Sequence, residues 1–175
     1  MQQPLARRLR HLGHEVIVDG RFGTGITKPE ILDWREHARD QVAQFHPTVT
    51  FVFLGASDAW PIEGVPCCGA RWRALYGERV RDMTATYGRT IWLTLPAPSD
   101  RGLARVFRGV NRAIVDATRG RAEVLDLRPV FTPGGRYRRR MRWNGERVVV
   151  RQMDGVHLGH AGVKIASDLA VAMLT

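Results

Sequence analysis

The sequence predicts an α/β domain of three layers, α/β/α, built on a parallel sheet. Three observations lead there. Predicted strands alternate with predicted helices along the chain, the pattern of a parallel sheet with crossover helices. Two of the strand runs, residues 48–54 and 90–95, are almost continuously β-branched, aliphatic or aromatic, as strands covered on both faces are. At 175 residues the chain suits one domain and is long enough to bury a substantial core.

Residues 4–12 read as a helix, with Pro4 in its first turn, Leu5, Leu9 and Leu12 at helical spacing and Gly13 as its stop. A short strand is expected over 15–19, centred on Val16, Ile17 and Val18, followed by the glycine-rich loop Gly20-Arg21-Phe22-Gly23-Thr24-Gly25. Glycines let a backbone approach a ligand, but this spacing matches no phosphate-binding fingerprint, so a plain turn is an equal reading. Residues 29–45 are amphipathic, with Ile31, Leu32, Trp34, Ala38, Val42 and Phe45 on one side, and Pro47 ends them. The strand at 48–54 empties into Gly55-Ala56-Ser57-Asp58-Ala59-Trp60-Pro61, and ligands of open α/β sheets gather at such carboxyl ends. A Pro- and Gly-rich surface loop runs to Gly69, then a helix over 71–87 and the strand at 90–95, closed by Pro96 and Pro98.

A further helix is expected over 100–119, carrying Leu103, Val106, Phe107, Val110, Ile114 and Val115, and the last parallel strand over 123–127. Between 134 and 151 the pattern changes to a small β-hairpin excursion: Arg138-Arg139-Arg140, then the turn signal Asn144-Gly145, then Val148-Val149-Val150. These arginines fit a solvated face or a site for an anionic ligand. A helix over 159–174 closes the chain, with Val163, Ile165, Ala166, Leu169, Ala170 and Met173 inward. The chain opens on a helix, which implies a preceding strand that this sequence lacks. If that strand belongs between the segments 16–19 and 48–54, those two should flank a gap or pair directly.

The net charge is +10, and of 27 basic residues only Lys28 and Lys164 are lysine. A GC-rich coding sequence accounts for this as well as an acidic polymer or anionic membrane surface does. No apolar run is long enough to span a bilayer, and no signal-peptide pattern or repeat is present, so the sequence as given reads as soluble. Cys67 and Cys68 are adjacent, a spacing that suits neither a metal site nor an unstrained bridge.

The chemistry-bearing stretch is Met153-Asp154-Gly155-Val156-His157, ahead of the last helix. An Asp three residues before a His can hold one imidazole nitrogen while the other faces a substrate, which is two thirds of a serine-hydrolase triad. A loop turn with a helix-capping residue is the plainer reading of the same residues.

Order and spacing together resemble the SGNH, or GDSL, hydrolase family, in particular the bacterial branch related to cell-envelope acyl esterases. Gly23 falls where the family has its glycine after the second strand, and Gly55-Ala56-Ser57-Asp58 where it has Gly-x-Asn-Asp. Asp154, His157 and Gly162 match its last block. Trp72, Tyr76, Leu93-Thr94-Leu95-Pro96, Asp126-Leu127 and Phe131 also resemble that branch. The resemblance covers nearly all of residues 1–175 as one N-terminally truncated domain and implies a flavodoxin-like sheet whose first strand is missing.

It implies an acyl esterase or acyltransferase working through a Ser-His-Asp triad, with His157 and Asp154 catalytic and Gly23 and Ser57 as oxyanion-hole or substrate-binding residues. No metal or cofactor is implied. The substrate would be a small-molecule or polysaccharide acyl ester, with no specific nucleic acid partner. An export signal or anchor would make the protein extracytoplasmic or membrane-associated, and its absence cytoplasmic. Two departures matter. The Gly-Asp-Ser block would lie just before Met1, and Ser57 stands where the family has Asn, a side chain that donates to the oxyanion. A catalytically inactive SGNH-like binding protein is therefore the alternative. Ser57 as the nucleophile of an α/β-hydrolase elbow, a thiol enzyme built on Cys67 or Cys68, and nucleic-acid binding through residues 138–142 are lesser readings.

Overall fold

The computed structural model describes residues 1–174, which form two compact units. One comprises residues 22–95 and 101–126, the other residues 1–21, 96–100 and 127 onward. The fold is mixed α/β, as expected, with a parallel sheet in the first of these units and an antiparallel hairpin in the second.

The sheet unit has three parallel strands, β1 (Thr50–Val52), β2 (Thr90–Leu93) and β3 (Glu123–Leu125), in the order β1-β2-β3. Their register pairs Phe51 with Ile91 and Trp92 with Val124. The central strand explains why its sequence does not alternate: Thr90, Ile91, Trp92 and Leu93 are all buried. Three helices accompany it, α2 (Trp34–Phe45), α3 (Ala70–Tyr87) and α4 (Arg101–Thr118), with α3 packed against both of the others. Trp72, Tyr76, Val80 and Met83 of α3, with Val110 and Ile114 of α4, are completely buried. Burying each such side chain stabilises the fold by about 1.5–3 kcal/mol.

Several polar side chains of this core are paired. The Trp92 indole donates to Thr84 Oγ1 at 2.9 Å. Asn111 of α4 accepts from the Leu95 N–H at 2.7 Å and donates to the Leu95 carbonyl at 2.8 Å. That amide satisfies the backbone where β2 stops, so the helix fixes the end of the strand.

The other unit holds α1 (Gln2–His11), a short helix α5 (Arg128–Phe131) with a 3₁₀ turn at Pro133–Gly135, strands β4 (Arg140–Trp143) and β5 (Glu146–Val149), and α6 (His160–Ala172). Helix α1 buries Leu5, Ala6 and Leu9 and packs on α6, with Arg8 and Asp168 paired at 2.7 Å. The hairpin turns at Asn144 and Gly145, whose φ values of 49° and 85° are the positive pair that a two-residue turn of this kind requires. No described helix is long and apolar enough to cross a membrane.

Several expectations are corrected. Residues 15–19 form no strand: Ile17 is 53% exposed, and the Val16 carbonyl accepts from the Arg10 guanidinium at 2.7 Å instead of from a neighbouring strand. A strand is defined by its ladder, and three apolar residues without a partner do not make one. The anticipated gap or pairing between this segment and the strand after it therefore has no strand to refer to. The helix expected from Pro29 begins at Trp34, because the Asp33 carboxylate caps it by accepting from the Arg35 N–H at 2.9 Å, while residues 25–32 are drawn into turns. Cys67 and Cys68, whose adjacency suits no unstrained bridge, are assigned as a disulfide pair and joined by a cis peptide bond.

Candidate functional site

The Asp154–His157 motif forms the interaction its spacing suggests. His157 Nδ1 lies 2.6 Å from Asp154 Oδ2. The other carboxylate oxygen, Oδ1, accepts from the backbone N–H groups of Val156 at 2.8 Å and His157 at 3.0 Å. The carboxylate thus folds its own loop around itself and orients the ring with its remaining oxygen. These hydrogen bonds, that to His157 first, hold the Asp154 carboxyl down at about 2, so it is ionised throughout the neutral range. The His157 side chain is 71% exposed, so its ring faces outward, and its Nε2 has no protein partner among the described residues.

The loop is held from below by a residue the sequence did not single out. Arg151 is 2% exposed, one guanidinium nitrogen donating to the carbonyl of Val156 and the other to the carbonyl of Ala97 at 2.6 Å. Its pKa is lowered by burial, against the opposing influence of Tyr137 and Asp154. Tyr137 also lies beneath it, ring centroid 5.7 Å from the guanidinium carbon. Ser99 N–H donates to the Gly155 carbonyl at 3.0 Å, so segment 96–100 is tied to the loop twice. Arg151 and Leu158 form an isolated antiparallel bridge, which closes the loop at the base of the hairpin. In sequence Arg151 is one of many arginines. Its only distinguishing signal is its place directly after Val148-Val149-Val150.

Gly23 and Ser57 belong to the sheet unit. Gly23 is exposed with φ +73°, and its carbonyl accepts from Lys28 Nζ at 3.1 Å while its N–H has no partner among the described residues. Ser57 is half-buried, and its hydroxyl is likewise unpartnered. Both therefore keep a donor available. What connects their loops is Asp58, which is fully buried. Its Oδ1 accepts from the Thr27 N–H at 2.9 Å and the Thr27 hydroxyl at 3.0 Å, and its Oδ2 from the Tyr76 hydroxyl at 2.8 Å. A Cβ on Gly25 would lie 2.1 Å from Asp58 Oδ1, so the glycine is what lets that loop close on the carboxylate. Burial, together with the charge and hydrogen bond of Asp58, pushes the Tyr76 hydroxyl well above its ordinary range. Tyr76 in turn stacks on Trp72, ring centroids 4.9 Å apart.

Of the serines, Ser167 donates to the carbonyl of Val163 within α6, and Ser99 abuts Gly155 of the dyad loop. No serine is hydrogen-bonded to His157 among the described residues. Nor is there, among them, a group of three or more His, Cys, Asp or Glu side chains placed to hold a metal ion.

Among solved structures the chain is similar to the psychrotrophic esterase EstA from Pseudoalteromonas sp., in a structure inhibited by monoethylphosphonate. The likeness covers 97% of this chain and 82% of that one with a TM-score of 0.59, and at 12% identity it shows a shared fold. No curated protein sequence matches. The family model described as "Protein of unknown function (DUF459)" matches residues 1–172, so the chain belongs to the DUF459 family.

Proposed function

We propose that this protein is an SGNH/GDSL-type serine ester hydrolase, an acyl esterase or acyltransferase, and that residues 154–157 supply its acid and base. The observation that carries the reading is the 2.6 Å contact between His157 Nδ1 and Asp154 Oδ2, with Nε2 outward and unpartnered. An imidazole held in this way has its Nδ1 proton committed to the carboxylate and its Nε2 lone pair available as a base. The fold shared with an esterase is consistent with it.

In this reading His157 Nε2 takes the proton of a serine hydroxyl as the oxygen attacks the ester carbonyl. The Gly23 N–H and the Ser57 hydroxyl donate to the oxyanion that forms. Collapse expels the alcohol, which leaves with the proton from His157, and water then repeats the sequence on the acyl-enzyme. Asp154 stays ionised and steadies the imidazolium formed at each step. The serine is proposed to lie in a Gly-Asp-Ser block upstream of Met1, and the ester to be carried on a cell-envelope polysaccharide or glycolipid.

The test compares p-nitrophenyl acetate hydrolysis by residues 1–175 and by the same chain extended through its upstream coding sequence, each with and without His157→Ala. Hydrolysis confined to the extended chain and lost on substitution supports the proposal. An upstream sequence without a serine, or activity indifferent to His157, rejects it. One observation favours a second reading, an SGNH-like protein that binds without cleaving: no described serine touches His157. An inactive extended chain that still binds acyl esters would select it.

A further inference from the structure

The hairpin that leads into the dyad loop has one strongly basic face. The register places Arg140 opposite Val149 and Arg142 opposite Arg147, and residues paired directly share a side of the ribbon. Arg140, Arg142, Arg147 and Val149 therefore lie together, and all four are exposed. The opposite face carries Met141, Trp143 and Val148, each half-buried, with Glu146, the hairpin's one carboxylate. The guanidinium groups of Arg140, Arg142 and Arg147 form no ion pair or hydrogen bond among the described residues.

Like charges directly opposite each other disfavour strand pairing, and a two-stranded ribbon has little stability to spare. Stability alone would have placed Glu146 across from an arginine. Three unpaired forks on one face are instead suited to planar anions, which arginine grips bidentately. We propose that this face docks a carboxylate-bearing acidic polysaccharide. The inference deepens the ester-hydrolase reading and rests on it, since the polymer would be the carrier of the acyl ester.

Two features of the face weigh against a base-stacked single strand and against insertion into a bilayer, and the charge complementarity that remains suits a carboxylate-bearing glycan. The face has no aromatic side chain, Trp143 being on the other side, so it offers no platform for stacking bases. Val149 is its only apolar residue, too little to enter a bilayer. The chain path fits the role, because β5 continues through Val150 to Arg151, whose bridge to Leu158 closes the loop carrying Asp154 and His157.

The experiment measures binding of polygalacturonate to the full chain by titration calorimetry at two salt concentrations, without reference to hydrolysis. Three proteins are compared: wild type, R140Q/R142Q/R147Q, and R39Q/R101Q/R108Q, which removes the same charge from three exposed arginines of the sheet unit. The hairpin triple variant should weaken binding about tenfold or more and flatten its salt dependence, and the control should change it less than about twofold. R142Q alone, which relieves the facing charges and so leaves the hairpin intact, should weaken binding about two- to threefold. Equal losses in both triple variants, no wild-type binding, or tighter hairpin-dependent binding of a DNA oligonucleotide or an anionic phospholipid vesicle would overturn the proposal. Such a failure leaves the dyad's role intact, because no step of the test needs it.

Discussion

Arg151 donates through one guanidinium nitrogen to the carbonyl of Val156, so a buried cation holds the residue immediately before His157. The guanidinium is needed for its shape, since its second nitrogen reaches Ala97 at the same time. A lysine cannot bridge two carbonyls in that fork. Replacing Arg151 with Met relieves a desolvated charge but leaves two carbonyls without donors, each at a cost of about 1–3 kcal/mol. We expect Arg151→Met and Arg151→Lys both to loosen the loop, seen as loss of the hydrogen-bonded His157 ring proton in NMR spectra. A ring proton as sharp as in the wild type would show that the loop stands without the strut.

Asp58 concentrates three donors on one buried carboxylate. Tyr76→Phe removes one hydrogen bond to a charge and should cost about 1.5–3 kcal/mol in urea denaturation. Asp58→Ala should cost more, because it strands the Thr27 and Tyr76 groups together. The double variant should be less destabilised than the sum of the two, by about 1–3 kcal/mol. Additive losses would mean the two residues act independently.

What the sequence disclosed follows from how local each signal is. The buried run at 90–95 and the Asn144-Gly145 turn are written in contiguous residues, and both appear where expected. The contact between Asp154 and His157 spans three residues and was likewise legible. The segment 15–19 misled because whether it becomes a strand depends on a neighbour that the segment itself does not encode. Arg151 was legible only as one more arginine, and Asp58 as the end of the Gly55-Ala56-Ser57-Asp58 block but not as a buried carboxylate. Their burial is set by contacts with Ala97, 54 positions away, and with Thr27, 31 away, and side-chain chemistry alone does not announce such contacts.

Gly162 permits a close approach of backbone to helix: a Cβ there would lie 2.3 Å from the Val150 carbonyl oxygen. In an ordinary helix Gly→Ala stabilises by up to about 1 kcal/mol. Here Gly162→Ala should instead destabilise by about 1–3 kcal/mol, because a backbone atom must move. A rise in the thermal midpoint would contradict the packing between α6 and the end of the hairpin.

The depressed carboxyl of Asp154 fixes the sign of one pH effect. Its folded-state pKa of about 2 lies below the ordinary value of about 3.9. The stability it contributes is therefore fully present above about pH 4 and is lost as pH falls through about 2. The group is well exposed, so the contribution is small. Asp154→Asn should abolish this part of the acid dependence while leaving stability at neutral pH nearly unchanged. A titration of the Asp154 carboxyl followed by carbon NMR checks it directly, and a midpoint near the ordinary value would contradict the geometry.

The most direct measurement of the central claim, that His157 and Asp154 activate a serine, is covalent labelling of the upstream-extended protein with a reactive phosphonate ester, mapped by mass spectrometry. We expect a single adduct on a serine preceding Met1, formed at least about a thousandfold more slowly after His157→Ala. An adduct on Ser57, Ser99 or Ser167, or no adduct at all, contradicts it.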